Sequence, residues 1–359
     1  MREIREIKMN EEKIEGSGKM RIVKQIIIFS LVMVMGCNSG LLAEEKAKNE
    51  FLSSIANLGK GFLKVFVVIW GDMVSGTLGI KADTKKSDIG KYFSDIENTM
   101  KTTKTRLNEI LDKNGHYGKI KEKVAAFIAT IDKIAEGAKE AAKGAVGSDV
   151  IGGAIAGQDA VPGEVSSVNA LVKGIKEIVD VVLKKDEGNA NATKTGDTEK
   201  KSIGKLLGAN GTDGTEQQAA AASASVGAVS GADILRAIVS SDEVVNNEVA
   251  IDQAKNAAEI AVAKKETKDL KEHQKDAVVA GGIALRAMSK NGKFVAKTGE
   301  DKSANAINGV AASAVSKTLS ALIIGIRNTI DSGLKEINAA LATVKQEDKA
   351  VEAAASGPQ

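Results

Sequence analysis

The sequence predicts an all-α protein, an elongated antiparallel helical bundle joined by irregular loops, and three observations carry that prediction. The 359 residues include only two prolines, Pro162 and Pro358, and 3% aromatics beside abundant Ala, Lys, Glu, Ile and Val, a composition that favours long helices over sandwiches or barrels. Apolar residues recur at steps of three and four through several long stretches, the period of an amphipathic helix. The 36 glycines cluster between these stretches and within a few Ala-rich ones, where they read as helix stops and hinges. With 43% hydrophobic residues, the chain can fill a sizeable core.

Phe51, Ile55, Leu58, Phe62, Val65, Ile69 and Met73 form the first stripe, a core-facing helix. Its segment FLKVFVVIW is too short to span a bilayer and contains Lys64; Trp70 reads as core. Ser87 is suited to cap a second helix with Ile89, Phe93, Ile96, Met100, Leu107 and Ile110/Leu111 on its apolar face, ending near Gly115. A third stripe runs through Ile120, Val124, Phe127/Ile128, Ile131, Ile134 and Ala138, and a fourth, after Pro162, through Val165, Val168, Leu171/Val172, Ile175, Ile178/Val179 and Val182. The first half therefore reads as an antiparallel bundle.

Residues 186–216 are rich in Gly, Asn, Thr and Lys and poor in large apolar residues, which predicts an exposed loop with at most a short helix over 203–207. The string DTEKKSIGK at 197 echoes DTKKSDIGK at 83, read here as similar helix-start chemistry without a fixed period. Later helices are expected over 232–239, 244–265 and 278–289, with a turn at Asn291-Gly292. A last long stripe follows, through Val315, Leu319, Leu322/Ile323, Ile326, Ile330, Leu334, Ile337, Leu341 and Val344. Gly152-Gly153 and Gly281-Gly282 lack the spacing of a phosphate cradle and read as hinges or sites of close helix approach. An apolar stripe serves a core or a subunit interface equally, which leaves a homodimer open.

Chemistry-bearing patterns are sparse. His116 sits in a Gly-rich turn and His273 among charges, neither with a cysteine or carboxylate pair spaced for zinc. No nucleophile elbow, zinc-protease helix motif or calcium loop occurs. The sequence thus assigns no catalytic, cofactor-binding or metal-ligating residue. The net charge of +3 is mixed along the chain, without the concentrated basic face that nucleic acid requires.

Residues 20–37 read MRIVKQIIIFSLVMVMGC. Arg21 and Lys24 precede an apolar run over 26–35, too short for a bilayer but suited to a secretory leader. The mixed-charge residues 1–19 make an unusual leader, so Met20 reads as the true start. Val34-Met35-Gly36-Cys37 resembles the bacterial lipobox: small Gly36 lets a peptidase reach the backbone, and the Cys37 thiol accepts a diacylglyceryl group. Val34 in place of the commoner Leu makes the site one of the relaxed spirochaetal kind. The expected organisation is a leader over 1–36 cleaved between Gly36 and Cys37, a lipidated tether over 37–50, one helical domain over 51–350 and a disordered tail over 351–359. Acylated Cys37 would hold the protein on a lipid bilayer, since two or more acyl chains anchor stably where one is marginal. Cys37 lies about 14 residues before Phe51, at most roughly 46 Å of extended chain. The first and last helices are therefore expected to pair near the membrane, with the irregular loops distal.

Three segments carry a resemblance to a known family: GFLKVFVVIWGDMVSGTLGIKADTKKSDIGKYFSDIENTM at 61–100, DAVVAGGIALRAMSKNGKFVAK at 276–297 and AVSKTLSALIIGIRNTIDSGLKEINAAL at 314–341. Together with Cys37 they resemble, in order, the variable large protein family of variable major surface lipoproteins in Borrelia. The second segment is similar to an invariant segment of the related variable surface antigen of Lyme-disease spirochaetes. The resemblance implies a surface-exposed lipoprotein of the cell outer membrane. Its expressed version would be exchanged with silent copies to escape host antibodies, on a shared helical frame with antigenically different loops. On composition and resemblance together, 186–216 and the stretch 144–162 are expected among those loops. The alternative expectation is an adhesin for host glycosaminoglycans or cell-surface proteins, motivated by Lys184-Lys185 and Lys200-Lys201.

Overall fold

The computed structural model of the protein describes Ser53, residues 79–114 and residues 118–355. The leader, Cys37, the tether, His116 and, Ser53 apart, the expected helix over 51–73 lie outside the described residues. So does the expected pairing of the first and last helices. Every element below belongs to the unit that runs from Thr77 to Gln359.

Among the described residues the regular structure is helical, with three isolated β-bridges and no strand. Helix α1 (Lys86–Asn114) and helix α2 (Gly118–Gly144) pack antiparallel, with Gly90 against the Ala145 carbonyl near one end and a Lys104–Asp132 ion pair of 2.7 Å further along. Helix α3 (Val165–Val182) returns along α2. A Cβ on Gly174 would stand 2.3 Å from the Ala141 nitrogen and 2.4 Å from the Gly137 carbonyl oxygen, so the two backbones meet where neither glycine leaves room for a side chain. The expected stripes face inward: Phe93, Met100 and Leu107 on α1, Ile120, Val124 and Ile131 on α2, and Leu171, Ile175 and Ile178 on α3 are all buried. Each fully buried side chain of this size stabilises by roughly 1.5–3 kcal/mol.

Ser87 is not the cap of α1. The helix begins one residue earlier, the Asp88 carboxylate accepts the Lys85 N–H at 3.0 Å, and the Ser87 N–H donates to the Gly147 carbonyl. An acid at the third helical position, reaching back to the N–H of the residue before the helix, is the carboxylate half of a capping box, whereas a capping serine hydroxyl at 87 would have met an N–H two or three residues further on.

The segment 186–216 is more structured than expected. Helix α4 (Asp197–Lys200) leads into a 3-10 helix, Lys201–Leu207, that buries Ile203, Leu206 and Leu207. The echo between 83–91 and 197–205 extends to packing. Lys86 and Lys200 are both fully buried, as are Ile89 and Ile203, and Gly90 and Gly204 each lie against a backbone carbonyl.

Helix α5 (Glu216–Ala228) has no counterpart among the expected elements. Its Ala/Ser-rich face carries little apolar contrast, although Thr215 and Gln218 form a capping box visible as T-x-x-Q in the sequence. Helix α6 (Gly231–Val239) follows as expected, started by a Ser230–Asp233 box. The helix expected over 244–265 is absent. In its place stand an exposed loop over 242–248, a 3-10 turn at Ile251–Gln253 and the short helix α7 (Ala257–Val262), capped by Asn256. Alanine-rich sequence has high helix propensity but no polar face to fix a helix's orientation, and local caps decided the outcome.

Helix α8 (Asp276–Met288) is buried at every one of its 13 residues. Its two glycines admit α7 closely, since a Cβ on Gly282 would stand 2.3 Å from the Ile260 side chain. After the Asn291-Gly292 turn, where Asn291 takes φ 65°, residues 293–296 pair with the irregular segment 145–164 through the Val161–Lys293 and Ala156–Ala296 bridges.

Helix α9 (Asp301–Ala355) closes the fold, running five residues into the stretch read as a disordered tail. Its stripe from Val315 through Leu319, Leu322, Ile326, Ile330 and Leu334 to Ile337 is buried; the side chains of Leu341 and Val344 lie outside the described residues. The portion Lys302–Ala340 is long and apolar enough to cross a membrane by composition, but 61% of its most apolar window is buried inside the protein. It is a core helix, with Gly333 against the Phe127 ring and Gly325 against Val182.

Candidate functional site

Helix α8 organises the surface from inside. At its N-terminus, buried Asp276 accepts from the Lys194 and Thr195 N–H groups at 2.7 and 2.9 Å, from the Thr195 hydroxyl at 2.5 Å and from the Ser225 hydroxyl at 2.7 Å. Burial works against its charge, yet these donors outweigh it and hold the carboxyl below its ordinary range. The position at a helix N-terminus favours the anion further. An acid 81 to 83 residues away thus fixes the course of the loop at 193–195.

At the other end, buried Arg286 donates to the carbonyl oxygens of Lys293, Ala261 and Ala263 at 3.0, 3.2 and 3.1 Å, and its guanidinium lies 5.8 Å from the Phe294 ring centre. Lys86 reaches in from α1 to the Ala287 carbonyl, a cation at a helix C-terminus. Burial pushes the Lys86 ammonium down to about 7; Asp149 opposes the shift, while Arg286 and Lys293 add to it.

Around this frame the side chains of Lys184, Lys185, Asp186, Glu187, Asn189, Asn191 and Lys194 are exposed, as the composition of 186–216 led us to expect for its first part. The stretch 144–162 is mixed: Ile151, Ala154 and Ala160 are buried, while Val146, Ile155 and Val161 are exposed. A third exposed segment, 242–248, was hidden by the helix expected there. Its Val245 is 87% exposed, and Asn246-Asn247 within it was the available sign against a continuous helix. A cleft of about 1240 Å³ lies along the junction of this loop and the start of α3, lined by Ser166, Asn169, Lys173, Glu243, Val244 and Asn247 among others.

The two lysine pairs behind the adhesin alternative fare differently. Lys184 and Lys185 are exposed, but Lys200 is 1% exposed and paired with Asp197 at 2.8 Å, so Lys200-Lys201 does not present two cations. His273 is exposed, with Nε2 3.1 Å from the Ala254 carbonyl oxygen. Among the described residues no group of three or more His, Cys, Asp or Glu side chains is placed to hold a metal.

Residues 62–341 match the Borrelia lipoprotein family. The chain is 57% identical over 342 residues to variable large protein 4 of Borrelia hermsii, covering 93% of this chain and 96% of that one. It is 59% identical over 339 residues to variable large protein 17 of the same organism, covering 91% and 94%. Its fold matches the crystal structure of the Lyme disease variable surface antigen VlsE of Borrelia burgdorferi with a TM-score of 0.68 and 34% identity, over 82% of this chain and 99% of that one. The helical fold is therefore shared with that surface antigen, and the chain belongs to the Borrelia lipoprotein family, with the variable large proteins among its relatives.

Proposed function

We propose that this protein is a surface-exposed lipoprotein of the outer membrane, anchored through acylated Cys37, that acts in antigenic variation and evasion of host antibodies without catalysis. The observation that carries the reading is the contrast between α8, buried at all 13 positions, and the exposed side chains over 184–194 and 242–248. An antibody can reach the second set and not the first. The similarity to variable large proteins and to a variable surface antigen supports the step from exposure to variation, and Gly36-Cys37 after an apolar run supports the anchor.

Protease treatment of intact cells, combined with mass analysis of the mature N-terminus, tests location and anchor together. The expected result is loss of the protein from untreated-permeability cells and an N-terminal Cys37 carrying acyl mass. Protection from protease on intact cells, or an N-terminus at another residue, would overturn the reading.

A further inference from the structure

We propose that five side chains of the helical frame hold the surface loops at defined points by main-chain groups, with the hydroxyls of Thr193 and Thr195 the loop side chains that the same five also hold, so that the other loop side chains can be exchanged while the loop course is kept. The proposal rests on the reading of this surface as a replaceable one and names the residues that make replacement tolerable.

The pattern recurs at separate loops. Asn169 on α3 brackets Val244, its Nδ2 donating to the Val244 carbonyl at 2.8 Å and its Oδ1 accepting the Val244 N–H at 3.0 Å. Asn308 on α9 brackets Ala154 in the same way, at 3.0 and 2.9 Å. Asp276 accepts the Lys194 and Thr195 N–H groups and, in addition, the Thr193 and Thr195 hydroxyls at 3.1 and 2.5 Å, so that 193 and 195 keep a side-chain requirement that 194 lacks. Asp233 on α6 accepts the Asn189 N–H at 2.7 Å, and Arg236 donates to the Glu187 carbonyl at 2.9 Å. At Glu187, Asn189 and Lys194 the held residue turns an exposed side chain outward.

A main-chain carbonyl is the same group in all twenty residue types, and a main-chain N–H in nineteen of them. A clamp made to it imposes no requirement on the side chain, and it excludes one residue at each donor, proline, which has no N–H. The rule at 189, 194 and 244 is therefore that any residue but proline preserves the bond. Clamps made to loop side chains, in contrast, would fix the loop sequence together with its shape.

The test compares Lys194→Glu with Lys194→Pro, and Val244→Thr with Val244→Pro, in the purified full chain, with Asn247→Pro as a control that removes a loop N–H which meets none of the five side chains and is expected to leave the melting temperature unchanged. Amide exchange in the unmodified protein is expected to show the Lys194, Thr195 and Val244 N–H groups slowed by roughly tenfold or more relative to free chain. Lys194→Glu and Val244→Thr should keep the melting temperature and protease pattern, while prolines at 194 and 244 open the chain to cleavage over 190–199 and 240–250. Unprotected amides in the unmodified protein, or Lys194→Glu as disruptive as Lys194→Pro, would sink the proposal, and the amide measurement stands even where a proline variant fails to fold. These readouts do not depend on cell location: surface proteolysis that fails while the clamps hold would reject the function and keep the clamps.

Discussion

The Lys86 ammonium, fully buried at the start of α1, donates to the carbonyl oxygen of Ala287 in the last turn of α8. It ties the first described helix to the buried central one through a charge that burial disfavours.

That charge gives stability a pH dependence. Unfolded, the lysine keeps its proton up to its ordinary value of 10.5; folded, it releases it near 7. Between those values the unfolded chain binds more protons, so the contribution of this site rises with pH, by up to about 1.4 kcal/mol per unit. Below about 7 both states are charged and the cost is fully present. Denaturant titrations at pH 6.5 and 9 should show a rise in stability for the unmodified protein that Lys86→Met lacks; an equal rise in both would assign it to other groups.

Arginine at 286 is needed for its shape as well as its charge. Three carbonyl oxygens on two segments receive its N–H groups, a fork that one ammonium cannot reproduce. Arg286→Lys is expected to cost about 2–4 kcal/mol, because buried carbonyls are left unmet. A melting temperature within a degree or two of the unmodified protein would refute this.

Two glycines on helices should respond in opposite directions. Alanine at Gly174 drives a Cβ into the Ala141 and Gly137 backbones and should destabilise by about 2–3 kcal/mol. Alanine at Gly309, within α9 and with nothing within 4 Å of its added Cβ, should stabilise by about 0.5–1 kcal/mol through helix propensity. Calorimetry on the two variants checks both signs.

Replacing Cys37 by serine should remove the site of acylation. The expected outcome is loss of radiolabelled palmitate and transfer of the protein from the detergent phase to the aqueous phase on cloud-point separation, with helix content unchanged. Retained label on Cys37→Ser would place the lipid elsewhere.

The sequence by itself determined the helices whose buried face is written in one stretch of chain. The stripes of α1, α2, α3 and α9 are local patterns of period 3.6, and the side chains they nominate, from Phe93 to Ile337, are buried. The bounds 165–182 were legible for the same reason, with Pro162 marking the entry. The Ala-rich stretches around 216–228 and 244–265 were misread because alanine fits a buried or an exposed position alike, leaving caps such as Thr215 and Asn256 to set the ends.

Tertiary structure alone decided how the irregular segments are held. Nothing local to Lys194 shows that its N–H meets Asp276, or local to Val244 that Asn169 brackets it, because the partner lies 75 to 82 residues away in the chain. Composition marks a segment as polar, and a polar backbone can be satisfied by water or by a distant side chain with no change in sequence pattern. Which of the two applies depends on what the fold brings alongside, and here it brings the buried N-terminal end of α8 and half-buried side chains of α3, α6 and α9.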